Sequence, residues 1–339
     1  MTVLGCVFPL FCASADAPRA PSGPAVVDAI PRPVPRPNPP AAAHPRTSVA
    51  KVRLVPFRTS AFPYRGRLPW DGTPFLDTEI DGRRGHTSAR GGLYWEDETY
   101  SDRRVLLAIP PGFNPRRRAL MILFFHGNEG RLERDVRDRQ QVVRQVADSG
   151  LNAVLVAPQL AVDALDSSAG NFWTAGHFAR FLQEADTRLA DLYGDPRMRD
   201  AFRGLPVVIV AYSGGYQPAL HSLDRGGAGE RVHGLVLLDA LYGEEGKIAS
   251  AVARRYGKAF LVSAFGPSTR DHNLVLEQTL AVRGVPWRTA LPRSLGPRSV
   301  VFVDAGDDVV HGDFVTEGWV ANPLQDVLAR VEGFPRGKR

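Results

Sequence analysis

VVIVAYSGGYQPAL, residues 207–220, carries two patterns in one stretch. Val207 to Val210 are apolar and mostly β-branched throughout, as a strand buried on both faces must be. From Tyr216 onward the residues suit a helix. Between them stand Ala211, Tyr212, Ser213, Gly214 and Gly215. A buried strand that turns sharply into a helix brings two backbones almost into contact, so the residues two positions either side of the turn must be small. Ala211 and Gly215 satisfy that demand, and Ser213 would then stand exposed on a strained turn. A serine that merely caps the helix would account for the same residues. The rest of the chain has to decide.

Working outward, strand-like and helix-like segments alternate over the body of the chain. Residues 92–100 and 104–109 read as two early strands, closed by Pro110-Pro111-Gly112, and "ALMILFF" (119–125) is a continuous buried strand. Residues 133–148 carry Val136, Val142, Val143 and Val146 on one helical stripe, stopped by Gly150. A strand at 152–157, a helix at 178–193 and the strand at 206–212 with its helix at 216–223 follow. Three more pairs come after it: 234–239 with 245–255, 259–264 with 273–283, and 299–303 with 318–332. Apolar strands separated by helices predict an α/β fold, a doubly wound, mostly parallel sheet with helices on both faces. One domain over 51–335 is the simplest partition.

The balance of 42 basic against 36 acidic residues gives a formal charge of +6, and only four of the basic residues are lysines. No zinc-finger, helix-turn-helix or RNA-binding signature accompanies the arginines, so no nucleic-acid partner is expected. Both cysteines, Cys6 and Cys12, precede the body, which excludes a disulfide, a thiolate metal site or a cysteine nucleophile there. No two of the eight histidines have zinc-ligand spacing. Neither a metal nor a cofactor is called for.

Chemistry in such a sheet sits at the carboxyl ends of the strands, and four of those ends carry polar residues. The first is the turn at Ser213. The second is His126-Gly127-Asn128, directly after "ALMILFF", where Gly127 lets the backbone approach a substrate. The N–H groups of Asn128 and Gly214 are the candidate oxyanion-hole donors. The third is a base, since a serine hydroxyl needs a histidine to take its proton. Of the histidines after Ser213, His221 lies within the following helix, His233 at the wrong end of a strand and His272 at a helix start. His311, in a short loop after the last strand, is the candidate. The fourth is an acid: Asp239 at the end of "GLVLLD", with Asp271 after the next strand as the alternative. Asp304, Asp307 and Asp308 fail on count, because no histidine follows His311.

With "FFHGNEG", "VAYSGGY", "LLDALYG" and "VVHGDFV" as stations, residues 92–332 resemble the α/β-hydrolase superfamily. The resemblance implies Ser213 as nucleophile, Asp239 as acid and His311 as base, with the oxyanion donors above and with His126, Gly127, Ala211, Tyr212 and Gly215 in support. Ala211 replaces the usual glycine, and the acid follows an earlier strand than is usual, which keeps Asp271 in view. The function so implied is a serine hydrolase acting on a small ester or amide substrate through an acyl-enzyme. A non-catalytic binding module of the same fold and an exported peptidase are the alternatives. In the connection 159–178, Phe172 and Trp173 are expected to line an acyl pocket beneath a short lid; plain packing of a loop is the competing expectation.

Ahead of the body, residues 1–15 contain an apolar run of about ten residues ending in Ala13-Ser14-Ala15, which reads as a secretory signal without a basic start. Export to a periplasmic or extracellular space is expected, and a cytoplasmic location if the run is not a signal. The run is too short to span a bilayer, so no integral membrane span is expected. Residues 16–50, with ten prolines between Pro18 and Pro45, read as a stiff disordered linker.

Overall fold

The computed structural model describes residues 50–336, so the segment read above as signal and residues 16–49 of the one read as linker lie outside the described residues. The apolar runs form one eight-stranded sheet. Its strands are β1 (Lys51–Pro56), β2 (Arg104–Ile109), β3 (Leu120–Phe125), β4 (Ala153–Pro158), β5 (Val207–Tyr212), β6 (Val232–Leu238), β7 (Phe260–Phe265) and β8 (Val300–Asp304). Their order across the sheet is β1-β2-β4-β3-β5-β6-β7-β8. β2 runs antiparallel to both β1 and β4, and every other neighbouring pair is parallel. This is the α/β-hydrolase fold.

Alternation along each strand sends side chains to two separate cores. Met121, Leu123 and Phe125 of β3 join one face with Ile209 and Ala211 of β5. That face is covered by α2 (His177–Tyr193), α3 (Tyr216–Arg225), α4 (Glu245–Arg255) and α5 (Arg270–Val282). Leu120, Ile122 and Phe124 point the other way, with Val208, Val210 and Tyr212, toward α1 (Val142–Asp148) and α6 (Pro323–Ala329). Burial on both faces is why these strands are apolar without interruption.

The chain steps from β3 to β4 on one side, then returns to place β5 on the other side of β3. Such a reversal opens a crevice at the carboxyl ends of the two strands. Here those ends carry His126-Gly127-Asn128 and Ser213.

Several elements depart from the sequence expectation. The predicted helix over 133–148 is a stretch of π-helix, Leu132–Arg139, followed by α1. The break falls at Gln141, whose φ is 50°, and the buried Gln145 amide caps it by donating to the Gln140 carbonyl. The final helix is shorter than expected, starting at Pro323. The predicted strand 92–100 is only Leu93–Trp95, the last of a separate three-stranded antiparallel sheet with Thr78–Ile80 and Arg83–Thr87. Asp81 and Gly82, both at positive φ (50° and 75°), make the two-residue turn between its first strands. Neither β1 nor the first two strands of this small sheet stand out in the sequence, because these strands are short or charged and bury little.

Candidate active site

At the end of β5 the backbone of Ser213 is forced to a φ of 51°, a left-handed conformation that costs a non-glycine residue free energy. The neighbours make the strain unavoidable. A Cβ on Gly215 would lie 2.4 Å from the Phe125 carbonyl oxygen, and one on Gly127 would lie 2.7 Å from Ser213 Cβ. Ala211 is fully buried. β3 and the turn after β5 are therefore as close as backbones allow, and Ser213 is left partly exposed at the crevice.

Three side chains from distant parts of the chain meet there. Ser213 Oγ stands 2.8 Å from His311 Nε2, and His311 Nδ1 stands 2.6 Å from Asp239 Oδ2. A hydrogen on Nδ1, donated to the carboxylate, leaves Nε2 free to accept from the serine hydroxyl; this tautomer satisfies both contacts. Tyr212 stacks on the His311 ring with centroids 5.2 Å apart, and its hydroxyl donates to the His311 carbonyl at 3.2 Å. Burial raises the Tyr212 phenol to about 12, so it stays a donor.

Asp239 is fully buried and also sits at positive φ, 43°. Burial alone would raise its pKa, but the contacts from His311, Ser268, Thr269 and the Gly266 N–H outweigh that and hold the carboxyl below its usual 3.8. Ser268 Oγ donates to Oδ2 at 2.5 Å, the Gly266 N–H to Oδ1 at 3.3 Å, and Thr269 Oγ1 donates to Oδ1 as well. The Tyr242 hydroxyl lies 3.3 Å from the same nitrogen, His311 Nδ1. Asp271, the alternative acid, is exposed on the first turn of α5, and none of the His311 contacts involves it.

The loop after β3 forms the facing wall. His126 is buried and held neutral, its pKa lowered chiefly by burial. Its Nε2 accepts from the Leu160 N–H at 2.9 Å and its Nδ1 donates to the Gly127 carbonyl at 2.7 Å. It braces the loop and does not reach the serine. The Asn128 N–H has no acceptor among the described residues. The Gly214 N–H belongs to the first turn of a helix, where amides lack an intrahelical partner. Ser167 Oγ donates to Asn128 Oδ1 at 3.0 Å, and a Cβ on Gly214 would collide with both side chains. Gly214 is thus constrained by side chains, as Gly215 is by the backbone of β3 and its loop.

Phe172 and Trp173 are a correction. Phe172 has no exposed surface; its ring is enclosed by Phe125, His177 and Phe181 in the core beneath the sheet. Trp173 is likewise buried, packed edge-on against Tyr64, Trp70 and Phe75. The large aromatic surface that singled them out is spent on packing, so neither lines an acyl pocket. What the 159–178 connection gives the crevice is its polar first half: the Ala164 carbonyl, which takes the Glu129 N–H, and Ser167. The sequence reasoning missed Ser268, Thr269, Tyr242 and Ser167. The two hydroxyls of "GPST" just before the α5 start were a readable signal, since a buried carboxylate needs donors.

No cluster of three metal-ligating side chains occurs among the described residues, and no helix among them is long and apolar enough to cross a membrane. No family model and no curated protein matches the chain. Among solved structures it is similar to a serine-to-alanine mutant of the feruloyl esterase module from Clostridium thermocellum complexed with sinapinate. That match has 15% identity and a TM-score of 0.44, and covers 82% of this chain and 99% of that one. It is also similar to an S-formylglutathione hydrolase from Agrobacterium tumefaciens, at 10% identity and a TM-score of 0.41, covering 75% and 97%. A thermostable carboxylesterase cloned from a metagenomic library matches at 17% and 0.41, covering 74% and 88%. The chemistry rests on this chain's own residues.

Proposed function

We propose that this α/β-hydrolase-fold protein is a serine hydrolase that cleaves a carboxylic ester through an acyl-enzyme on Ser213. One observation carries the reading: a serine on a left-handed turn, hydrogen-bonded to a histidine whose other nitrogen meets a buried, four-times hydrogen-bonded aspartate. A structural serine would need none of this.

In the reaction, Ser213 Oγ attacks the ester carbonyl carbon while His311 Nε2 takes its proton. Asp239 holds the imidazole in the required tautomer and stabilises its positive charge. The oxyanion that forms accepts hydrogen bonds from the N–H groups of Asn128 and Gly214. Collapse of the tetrahedral intermediate breaks the bond to the alcohol oxygen, which leaves with the proton from His311. Water then attacks the acyl carbon, gives its proton to His311, and Ser213 is regenerated as the carboxylic acid departs.

The test is covalent labelling by a fluorophosphonate, with the modified residue located by peptide mass spectrometry, alongside p-nitrophenyl ester hydrolysis by Ser213→Ala. Labelling at Ser213 and a fall in kcat of about 10⁴ or more are expected. Unlabelled protein, or a variant that turns over at the parent rate, refutes the reading and leaves a binding module of the same fold.

A further inference from the structure

The contact between Ser213 and His311 is one link in a ring around the mouth of the crevice, and the reaction above leaves most of the other links unused. On one side, Ser167 stands against Asn128 and Gly214, and Leu165, two residues earlier, holds the tip of the small sheet's last hairpin. Ser88 Oγ donates to the Leu165 carbonyl at 2.8 Å, and the Leu165 N–H donates to the Tyr94 hydroxyl at 3.1 Å. Within the tip, the Ser88 N–H bonds to the Gly92 carbonyl at 3.0 Å and the Arg90 N–H to Ser88 Oγ at 3.2 Å, so the backbone of Arg90 is fixed. From that tip the Arg90 guanidinium reaches across to the ring of Tyr242, 5.5 Å from its centroid. Tyr242 touches His311, and His311 touches Ser213.

The strand order gives this circuit its meaning. Leu165 follows β4 and Tyr242 follows β6, while β3 and β5 lie between them. Arg90, carried by the hairpin that Leu165 holds and resting on Tyr242, therefore bridges segments that flank the strand ends carrying Asn128 and Ser213. Arg90 is exposed and pairs with no carboxylate among the described residues. Most other arginines around the site are matched: Arg131 and Arg134 with Asp163, Arg139 with Asp135, Arg270 with Asp304. A guanidinium lying on an aromatic ring keeps its in-plane N–H donors available, and those donors suit the two oxygens of a carboxylate.

We propose that Arg90 recognises a carboxylate on the substrate, so that the ester taken at Ser213 carries an anionic group. This rests on the serine-hydrolase reading. Arg90 acts by binding and takes no part in bond making. An exposed guanidinium has modest worth alone, but two charge-assisted hydrogen bonds to a positioned carboxylate correspond to about tenfold in kcat/KM.

The experiment compares charged and neutral versions of one ester. On the acyl side, p-nitrophenyl half-esters of succinic, glutaric and adipic acids are set against their methyl-capped counterparts; on the leaving-group side, 3-acetoxybenzoate is set against its methyl ester. The readout is the ratio of kcat/KM, charged over neutral, in the parent, Arg90→Gln and Arg90→Glu. The expected result is a ratio about tenfold higher in the parent than in Arg90→Gln in one of the two series, and lower still in Arg90→Glu. The series that responds identifies which half of the ester carries the anion. Unchanged ratios in both series overturn the proposal, as does an equal fall in both kcat/KM values, because that would mark Arg90 as a strut of the hairpin. Fluorophosphonate labelling of Ser213 in the same samples separates the two claims. Labelling with an indifferent ratio sinks only the role of Arg90, whereas no labelling and no hydrolysis sinks the serine-hydrolase reading and this proposal with it.

Discussion

Replacing Gly127 by alanine adds one methyl group directly against Ser213 in the crevice. The new carbon would stand 2.7 Å from Ser213 Cβ and 3.0 Å from Tyr212 Cε1. Non-bonded carbons prefer about 3.5–4.0 Å, so something must move by about 1 Å. Neither neighbour is free to yield. Tyr212 is stacked on His311 and bonded to its carbonyl, and Ser213 is held at positive φ between β5 and α3. The displacement therefore falls on the 2.8 Å contact between Ser213 Oγ and His311 Nε2. A misplacement of about 1 Å at reacting atoms can cost about a hundredfold in rate, and the overpacking itself costs about 1–3 kcal/mol of stability. The assay is p-nitrophenyl acetate hydrolysis with the rate of fluorophosphonate labelling, both checked against thermal unfolding. Gly246→Ala is the control, since a Cβ there meets nothing within 4 Å; it should match the parent. A Gly127→Ala protein that is folded and works within about threefold of the parent rate would refute the argument that this approach positions Ser213, the proposed nucleophile.

Other consequences can be read at the bench. Asp239→Asn should lower kcat by about 10⁴, because the amide can donate to His311 Nδ1 and drive the hydrogen onto Nε2, where it blocks the serine's proton; a loss under tenfold would contradict the assigned tautomer. The same variant tests acid stability. The folded-state pKa of Asp239 lies below its usual 3.8, with burial opposing and the hydrogen bonds prevailing, so its ionised form stabilises the fold above that value and the contribution is lost as pH falls through the folded pKa. Urea midpoints between pH 6 and pH 2 should therefore fall more steeply in the parent than in Asp239→Asn, and parallel curves would count against it. His221 is buried, its Nδ1 has no partner among the described residues, and burial lowers its pKa to about 4. The unfolded chain binds a proton below about 6.5 and the folded one does not until about 4, so stability drains away as pH falls across that window, by up to about 3 kcal/mol. His221→Leu should flatten the loss between pH 6.5 and 4 in chemical denaturation; an unchanged slope would mean another group is responsible.

The legible part of this protein is the part written in local pattern. Uninterrupted apolar runs at 120–125, 153–158 and 207–212 could only be strands covered on both faces, and their alternation with helices gave the parallel sheet. Small residues around Ser213 were legible too, because a strand-to-helix turn imposes its steric demand within five residues. Elements that bury little left no such mark. β1, with alternating charged and apolar residues, and the polar strand Arg83–Thr87 were invisible until long-range pairing gave them partners.

Which side chains meet is another matter. Ser213 and His311 are separated by 98 positions and His311 and Asp239 by 72, and no periodicity spans such gaps. The order of the strands decides that meeting, by bringing the ends of β5, β6 and β8 to one rim. Tertiary packing also decided against Phe172 and Trp173, whose size suits a pocket and a core equally well. It alone placed Ser268 and Thr269 on the aspartate and Arg90 on the Tyr242 ring. A sequence encodes burial residue by residue, through the free energy of removing each side chain from water. Contact between distant residues exists only once the whole sheet has closed.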